Sequence, residues 1–301
     1  MAEAISSNEP VVDSKVKQVV SNIRNLPTPP IVFHQIQKVI NDPKVSAGQI
    51  AGILSEDPAM SVKVLKLTNS AFYGLSREID SVKQAVVVVG LEAIKNLVLS
   101  ASVIDMFKGK DYDQEFQEQF WRHSLATAFC GRIISRKLRA RGLVDPDTAF
   151  SGGLLHDIGK IIIACYLPDH YKRYSEARAA EKVATDYDIE SSVLGYTHDQ
   201  VGALLAAQWK LPAKLCEAIT YHHHPEKAPS GEAIGYLVHV ANHIAKKTFY
   251  FDDDAFRVGE LSAEVMDYMQ LTDGQIEMFC ESLREEYVKA ETFMQMAGLT
   301  G

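Results

Sequence analysis

A chain of 301 residues, 47% of them hydrophobic, is long enough for one large or two ordinary domains and can bury a core without covalent staples. Its net charge of −8, with both signs interspersed, argues against a surface devoted to nucleic acid or anionic membrane, so proteins or small molecules are the expected partners. The four scattered cysteines, the absence of a signal-peptide pattern and the short apolar runs predict free thiols in a cytoplasmic protein.

The first third of the chain reads as short helices joined by tight turns. Residues 1–14 are polar and aperiodic, which predicts a disordered tail. Residues 15–107 form the N-terminal helical part, in which the prolines of residues 26–30 require an extended stretch. Two helix starts are marked by N-cap patterns, at Ser46 with Gln49 and at Asp57 with Pro58.

A run of valines makes residues 85–89 ambiguous. By propensity alone the run favours a strand. Ser81 and Gln84 form a cap before it and Gly90 follows it, and these signals favour a helix. A longer apolar helix is predicted over residues 91–107.

Residues 108–111, K-G-K-D, are the best candidate boundary in the chain. Past them, residues 114–142 read as one helix, and a second helix is predicted to start at Asp145, carry the dipeptide His156-Asp157 and end at Pro168. Basic residues crowd the end of the first helix and predict a solvated face, with an anion- or partner-binding patch as the alternative. They are Arg132, Arg136, Lys137, Arg139 and Arg141.

The remaining sequence continues the helical pattern. Helices are predicted over residues 169–182, 188–195, 198–209 and 232–247, with another that ends at Tyr221. Residues 251–301 read as C-terminal helices, the last of them capped by Thr272 and Gln275. No strand, repeat or low-complexity tract stands out. The predicted fold is all-α: a multi-helix bundle over residues 114–250 with the N-terminal helical part as a subdomain, either separate or packed on the bundle.

Several residues that can ligate metals fall on otherwise apolar helices after residue 114. For each one alone, a core side chain satisfied by a hydrogen bond is the simpler interpretation. Together they indicate a site, because helices of a bundle can bring them to one point and a cation would satisfy polar groups otherwise left unpaired. Imidazole and carboxylate suit Zn, Mn, Fe or Ni. The candidates are His123, His156, Asp157, His198, His222, His223 and Asn242.

The ordered pattern H…HD…H…HH resembles the HD metal-dependent phosphohydrolase superfamily, and H-D-I-G-K at residues 156–160 resembles its HD-GYP branch. The flanking segments are more similar to the HDOD family: L-P-T-P-P at 26–30, the segment D-P-A-M-S-V-K-V-L-K-L-T-N-S-A-F-Y-G at 57–74 and H-D-Q-V-G-A-L-L-A-A-Q-W-K-L-P at 198–212. This resemblance covers about residues 20–250. It implies an all-helical protein of bacterial signalling and regulation, generally without demonstrated catalysis.

Carried over to this chain, the resemblance implies six metal-facing residues, with Asp157 as the bridge between two ions and Lys160 facing a phosphate. The six are His123, His156, Asp157, His198, His222 and His223. The chain departs from the enzymes in having Asn242 in place of an aspartate, Gln119 in place of a glutamate, and no G-Y-P motif.

These departures leave Asp157 as the only carboxylate of the proposed set, too little to balance two divalent ions. The expected occupancy is therefore one ion or a weakened pair, or a metal held together with a phosphate-like anion.

Three functions stay open at this point. The first is a regulatory protein that acts through protein contacts or an anionic small ligand. The second is a metal-dependent phosphodiesterase or phosphohydrolase, with cyclic dinucleotides among its candidate substrates and with Asp157 and Lys160 as catalytic residues. The third is a metal-free scaffold with a hydrogen-bonded histidine core.

Overall fold

The computed structural model describes residues 14–23, 25–40, 42, 44–70, 73–108, 113–180, 184–229, 233–249, 258 and 260–297, the last eight by their backbone alone. All regular structure within these residues is helical, as predicted, and none of it is a strand. The first eight α-helices are α1 (Ser14–Ser21), α2 (Ile31–Val39), α3 (Ala47–Ser55), α4 (Pro58–Thr68), α5 (Val82–Val89), α6 (Leu91–Phe107), α7 (Gln114–Lys137) and α8 (Pro146–Leu155). They are followed by α9 (Ile158–Tyr166), α10 (Pro168–Ala180), α11 (Asp186–Leu194), α12 (His198–Gln208), α13 (Ala213–Tyr221), α14 (Ala233–Phe249), α15 (Ala263–Met269) and α16 (Asp273–Ala297).

The predicted helix caps are present. The Gln49 backbone N–H donates to the Ser46 hydroxyl, and the Gln49 side chain accepts from the Ser46 N–H at 2.8 Å, which completes a capping box for α3. The valine run is helical, because Ser81 caps α5 and Gly90 ends it with a φ of 96°, a conformation that costs glycine little. Here local capping outweighs the β propensity of valine.

The prediction of one helix from Asp145 to Pro168 is wrong. The helix breaks at the His156-Asp157 dipeptide, where Asp157 leaves helical geometry with φ −94° and ψ 12°. Two residues after this break, Gly159 lies directly against the backbone of His198 on α12. The break points both side chains of the dipeptide toward one centre. The helix predicted over residues 114–142 is also shorter, and a 3₁₀ turn at Arg139–Arg141 follows it.

Arg132 contradicts the prediction of a purely solvated basic face. Its side chain is buried, its guanidinium stands 5.0 Å from the centre of the Tyr73 ring, and one nitrogen lies 3.9 Å from Asp147 Oδ1. Arg141 donates to the Met269 carbonyl at 2.6 Å. The basic face is therefore solvated at Arg136, Lys137, Arg139 and Arg141, which are exposed, and departs from the prediction at Arg132.

One continuous apolar core joins the N-terminal helices to the histidine-bearing bundle. Helix α6 is buried along most of its length and packs on α8, while α7 packs on α8 and α14. The Trp209 indole N–H donates to the Pro27 carbonyl at 2.7 Å and ties the extended segment to the bundle. The four cysteines are free thiols, as predicted. The predicted boundary at residues 108–111, the tail and the loop at 251–254 lie wholly or largely outside the described residues.

No single helix in the described ranges is both long and apolar enough to cross a bilayer. Two pairs of consecutive helices, α5 with α6 and α8–α9 with α10, reach that length and apolarity only when each pair is counted together, and they are bent by 118° and 111°.

Candidate metal centre

Close helix packing brings the predicted ligands together. A Cβ on Gly153 of α8 would lie 2.7 Å from the Cα of Ala128, so this glycine lets α7 and α8 approach each other directly. As a result His123 of α7 reaches His156, with 3.3 Å between their Nε2 atoms. His156 and Asp157 lie at the bend between α8 and α9, and the remaining histidines come from the start of α12 and the end of α13.

One oxygen of Asp157 and three imidazole nitrogens form a group of four potential ligand atoms. Oδ1 lies 3.0 Å from His198 Nε2 and 3.4 Å from His222 Nε2. His198 Nε2 in turn lies 3.3 Å from His222 Nε2 and 3.1 Å from His223 Nε2. We call Asp157, His198, His222 and His223 the four-donor set; its donor atoms all lie within 4.8 Å of one another.

The other oxygen of Asp157 faces a second group. Oδ2 lies 3.4 Å from His156 Nε2 and 3.6 Å from His123 Nε2. We call His123, His156 and Asp157 the three-donor set. Asp157 is thus shared by both sets, and the role of a bridge between two ions, which the resemblance implies for it, stays a prediction.

Hydrogen bonds on the far side of the rings orient three of the imidazoles. Nδ1 of His156 donates to the Gly153 carbonyl at 2.7 Å, and Nδ1 of His222 donates to the Ile219 carbonyl at 2.9 Å. A carbonyl can only accept, so in the neutral rings Nε2 presents a lone pair toward Asp157. Nδ1 of His198 pairs with Glu190 Oε2 at 2.7 Å, a carboxylate–histidine arrangement common behind metal ligands.

The residues fit a cation better than they fit protons. Burial would lower the pKa of His198, but the Glu190 and Asp157 carboxylates outweigh it and raise that pKa to about 9. Burial lowers the pKa of His222 to about 3 and that of His223 well below its usual value. A proton on His198 Nε2 can satisfy only one of the three acceptors near it, which are Asp157 Oδ1, His222 Nε2 and His223 Nε2. A divalent ion would accept all four lone pairs at once.

A chain of alternating charges leads from the three-donor set to the surface. The Lys160 ammonium donates to Asp157 Oδ2 at 2.9 Å and lies 3.5 Å from Asp186 Oδ2. Asp186 Oδ1 lies 2.9 Å from Arg178 Nε. Burial would raise the pKa of Asp186, but Lys160 and Arg178 lower it to about 2. Lys160, predicted to face a phosphate, therefore pairs with two carboxylates.

Helix α11 contributes residues to the surroundings of the donor sets that were not predicted from the sequence. Besides Asp186 and Glu190, it carries Tyr187, whose ring centre lies 4.6 Å from that of His223. The four-residue spacing of Asp186 and Glu190 puts both on one helix face, a weak signal that a solvated helix also gives. Lys246 of α14 was missed too; burial and Lys160 lower its pKa.

Two other candidates lie near the cluster with a less defined role. Asn242 is buried on α14, one turn before Lys246, and its Oδ1 accepts no hydrogen bond within the described ranges. Its role as a weak ligand stays a prediction. Gln119 lies one turn before His123, and its amide donates to Glu115 at 3.2 Å.

Replacing Glu190 with glutamine should weaken metal binding about 10- to 100-fold, because the neutral amide lacks the negative charge that raises the basicity of the His198 imidazole. The measurement is a metal titration by calorimetry. Glu176→Gln, an exposed carboxylate on α10, is the matched control and should bind like wild type. If the Glu190→Gln and Glu176→Gln variants bound metal with equal affinity, Glu190 would not support His198 as a ligand.

Comparisons with known proteins show which family and which relatives the chain resembles. The HDOD domain pattern matches residues 26–225. An uncharacterized protein of Treponema pallidum (strain Nichols) is 26% identical over 211 residues, which are 70% of this chain and 40% of that protein. Ribonuclease Y of Pelobacter propionicus is 23% identical over 232 residues, 77% of this chain and 35% of that enzyme. The chain thus spans less than half the length of these curated relatives.

Solved structures share the fold. An HDOD domain protein of unknown function from Geobacter sulfurreducens superposes with a TM-score of 0.73 at 23% identity, covering 95% of this chain and 97% of that one. A candidate phosphohydrolase from Shewanella amazonensis gives 0.71 at 24% identity, covering 96% and 98%. A candidate signal transduction protein from Marinobacter aquaeolei gives 0.76 at 21% identity, covering 95% and 64%. With the pattern matched over most of its length and the all-helical fold shared, the chain belongs to the HDOD domain family.

Proposed function

We propose that this protein is a cytoplasmic signalling or regulatory protein whose bundle core holds a divalent transition metal and which acts through contacts with a protein or a small anionic ligand. The observation that supports a bound metal is the four-donor set. Its buried acceptor atoms face one another, and there are too few protons among them to satisfy every acceptor. Three imidazoles and one carboxylate suit Zn, Fe, Mn or Ni.

We infer that the preferred occupancy is a single ion in the four-donor set. The three-donor set offers one donor fewer, and its carboxylate oxygen already pairs with the Lys160 ammonium at 2.9 Å. A second divalent ion beside that oxygen would have to displace or repel this buried positive charge. The only carboxylate common to both sets is Asp157, which cannot balance two ions.

The enzyme alternative rests on the same residues. A bound ion would supply Lewis acidity for phosphoester hydrolysis. Lys160 could then turn from Asp186 toward a phosphoryl oxygen, and the shared fold includes proteins named as candidate phosphohydrolases. Against it, Lys160 is held by two carboxylates and an amide stands at position 242. The metal-free scaffold is the weakest reading, because Asp157 Oδ1 and His222 Nε2 then compete for the proton on His198 Nε2 and one of these buried acceptors is left without a donor.

The test is the metal content of protein purified without chelator or histidine tag, measured beside hydrolysis of a generic phosphodiester and of cyclic dinucleotides with added Mn or Fe. The proposal expects about one ion per chain and no turnover. Turnover that His156→Ala and Asp157→Ala abolish would establish the enzyme instead. Absence of metal after incubation with each candidate ion would leave the scaffold.

Metal affinity should rise as pH increases. Below about pH 9 the metal-free His198 carries a proton, and an ion can bind Nε2 only after that proton leaves. The apparent affinity should therefore increase about tenfold per pH unit from pH 6 to 8. Calorimetry in two buffers of different ionisation enthalpy should show about one proton released per ion bound. An affinity independent of pH in this range would contradict the assignment of His198 as a ligand.

A further inference from the structure

A cavity of about 350 Å³ opens onto the three-donor set. It lies between the start of α7, helix α10 and helix α11, and its inner end is formed by His123, Asp157 and Lys160. Asp157 lines the cavity and also belongs to the four-donor set, so an ion held by that set would adjoin the cavity, although the histidines of the set do not line it. Its volume is at the lower end of the range of about 300–1,000 Å³ found for small-molecule sites.

Four aromatic side chains also line the cavity, Phe116, Phe120, Tyr171 and Tyr174. Phe116 and Phe120 stack with ring centres 6.0 Å apart, and Phe116 meets Tyr171 edge-on at 5.2 Å. The ring centres of Tyr171 and Tyr174 lie 6.4 Å apart. Four contiguous rings offer faces and edges to a flat apolar group, the arrangement in which aromatic contacts add most to simple burial. The Gln119 amide also lines the cavity.

The charged end would attract an anion once an ion is bound. Two cationic side chains, Lys160 and Arg178, and three carboxylates, Asp157, Asp186 and Glu190, line the cavity. One divalent ion therefore makes the positive charges exceed the negative ones by one. In a partly enclosed site this excess is weakly screened and favours a bound anion.

We propose that this cavity binds a small organic anion that carries one aromatic ring, with the anionic group at the Asp157–Lys160 end and the ring against Phe116 and Tyr171. The proposal rests on the proposed function for its cation. It names the ligand class through which the metal-bearing core would be regulated. Helix α11 provides the coupling, because Asp186 and Glu190 line the cavity and also contact Lys160 and His198.

The experiment compares two phosphonates on metal-loaded protein by calorimetry: phenylphosphonate, which has the ring, and methylphosphonate, which lacks it. Neither has a phosphoester bond to hydrolyse. Burial of the ring should make phenylphosphonate bind about tenfold tighter or more. Equal affinities, or no binding of either compound, would overturn the proposal.

Two tryptophan variants localise the site. Ala179 lines the cavity at an exposed position of α10, so Ala179→Trp should block it and weaken phenylphosphonate binding about tenfold or more. The neighbouring Ala180 is also exposed and does not line the cavity, so Ala180→Trp should bind like wild type. Wild-type binding by Ala179→Trp would place the ligand elsewhere and overturn the assignment.

Metal content measured on the same samples separates this proposal from the proposed function. A protein without metal fails the proposed function by that measurement alone. The same result also removes the anion site, which rests on that ion. In protein that holds the metal, ring-dependent binding blocked by Ala179→Trp supports the cavity, and the absence of such binding contradicts it while the proposed function stands.

Discussion

Asp157→Asn should remove the bound metal almost completely. Both oxygens of Asp157 face imidazole nitrogens, and its carboxylate is the one negative charge in the two donor sets. The amide keeps one weak oxygen donor, replaces the other oxygen with an NH₂ group that cannot ligate, and removes the charge. Since outer-shell changes alone cost about 10- to 100-fold, the affinity should fall by at least about 100-fold. Metal analysis after dialysis should change from one ion per chain to almost none.

The control for this variant is Asp169→Asn, which changes an exposed carboxylate on α10 in the same way. It should retain wild-type metal content. If Asp157→Asn also retained it, the ion would bind elsewhere and the four-donor set would have to be abandoned.

Gly159→Ala should destabilise the fold severely, although it adds a single methyl group. The new Cβ would lie 1.9 Å from the His198 carbonyl oxygen and 2.9 Å from the Gly202 nitrogen, both of them backbone atoms that cannot rotate away. Helices α9 and α12 would have to separate, which should cost about 3 kcal/mol or more in the free energy of unfolding. The separation also moves His198 away from Asp157, so metal affinity should fall as well.

Gly52→Ala is the matched control. Gly52 lies in the middle of α3, and a Cβ added there would have nothing within 4 Å, so alanine should stabilise the protein by about 0.5–1 kcal/mol. Denaturant unfolding of both variants gives the comparison. A Gly159→Ala protein as stable as wild type would show that α9 and α12 do not pack as described.

Local signals made most of the helices predictable. The capping residues Ser46 and Ser81 locate helix starts from a few neighbouring residues, and the structure has both caps. The bend at His156 and Asp157 could not be read in this way. The local apolar pattern continues through these two residues without a helix-ending signal, and the close contact of Gly159 with His198 next to the break joins residues distant in the sequence.

The candidate site also divides into what local sequence indicates and what depends on distant contacts. The sequence identified the histidines and Asp157, because imidazoles on apolar helices are unusual enough to stand out. It could not identify Glu190, since an acidic residue on a short polar helix usually meets solvent. Nor could it place Lys160, whose pairing with Asp157 and Asp186 depends on how α9 packs near α11.

Anomalous X-ray scattering from crystals of metal-loaded protein, collected at the absorption edge of the bound element, tests the central claim most directly. We expect one anomalous peak per chain, from an ion bound by Asp157, His198, His222 and His223. A metal-loaded crystal without a peak among these four residues, or one in which their side chains point away from one another, would contradict it.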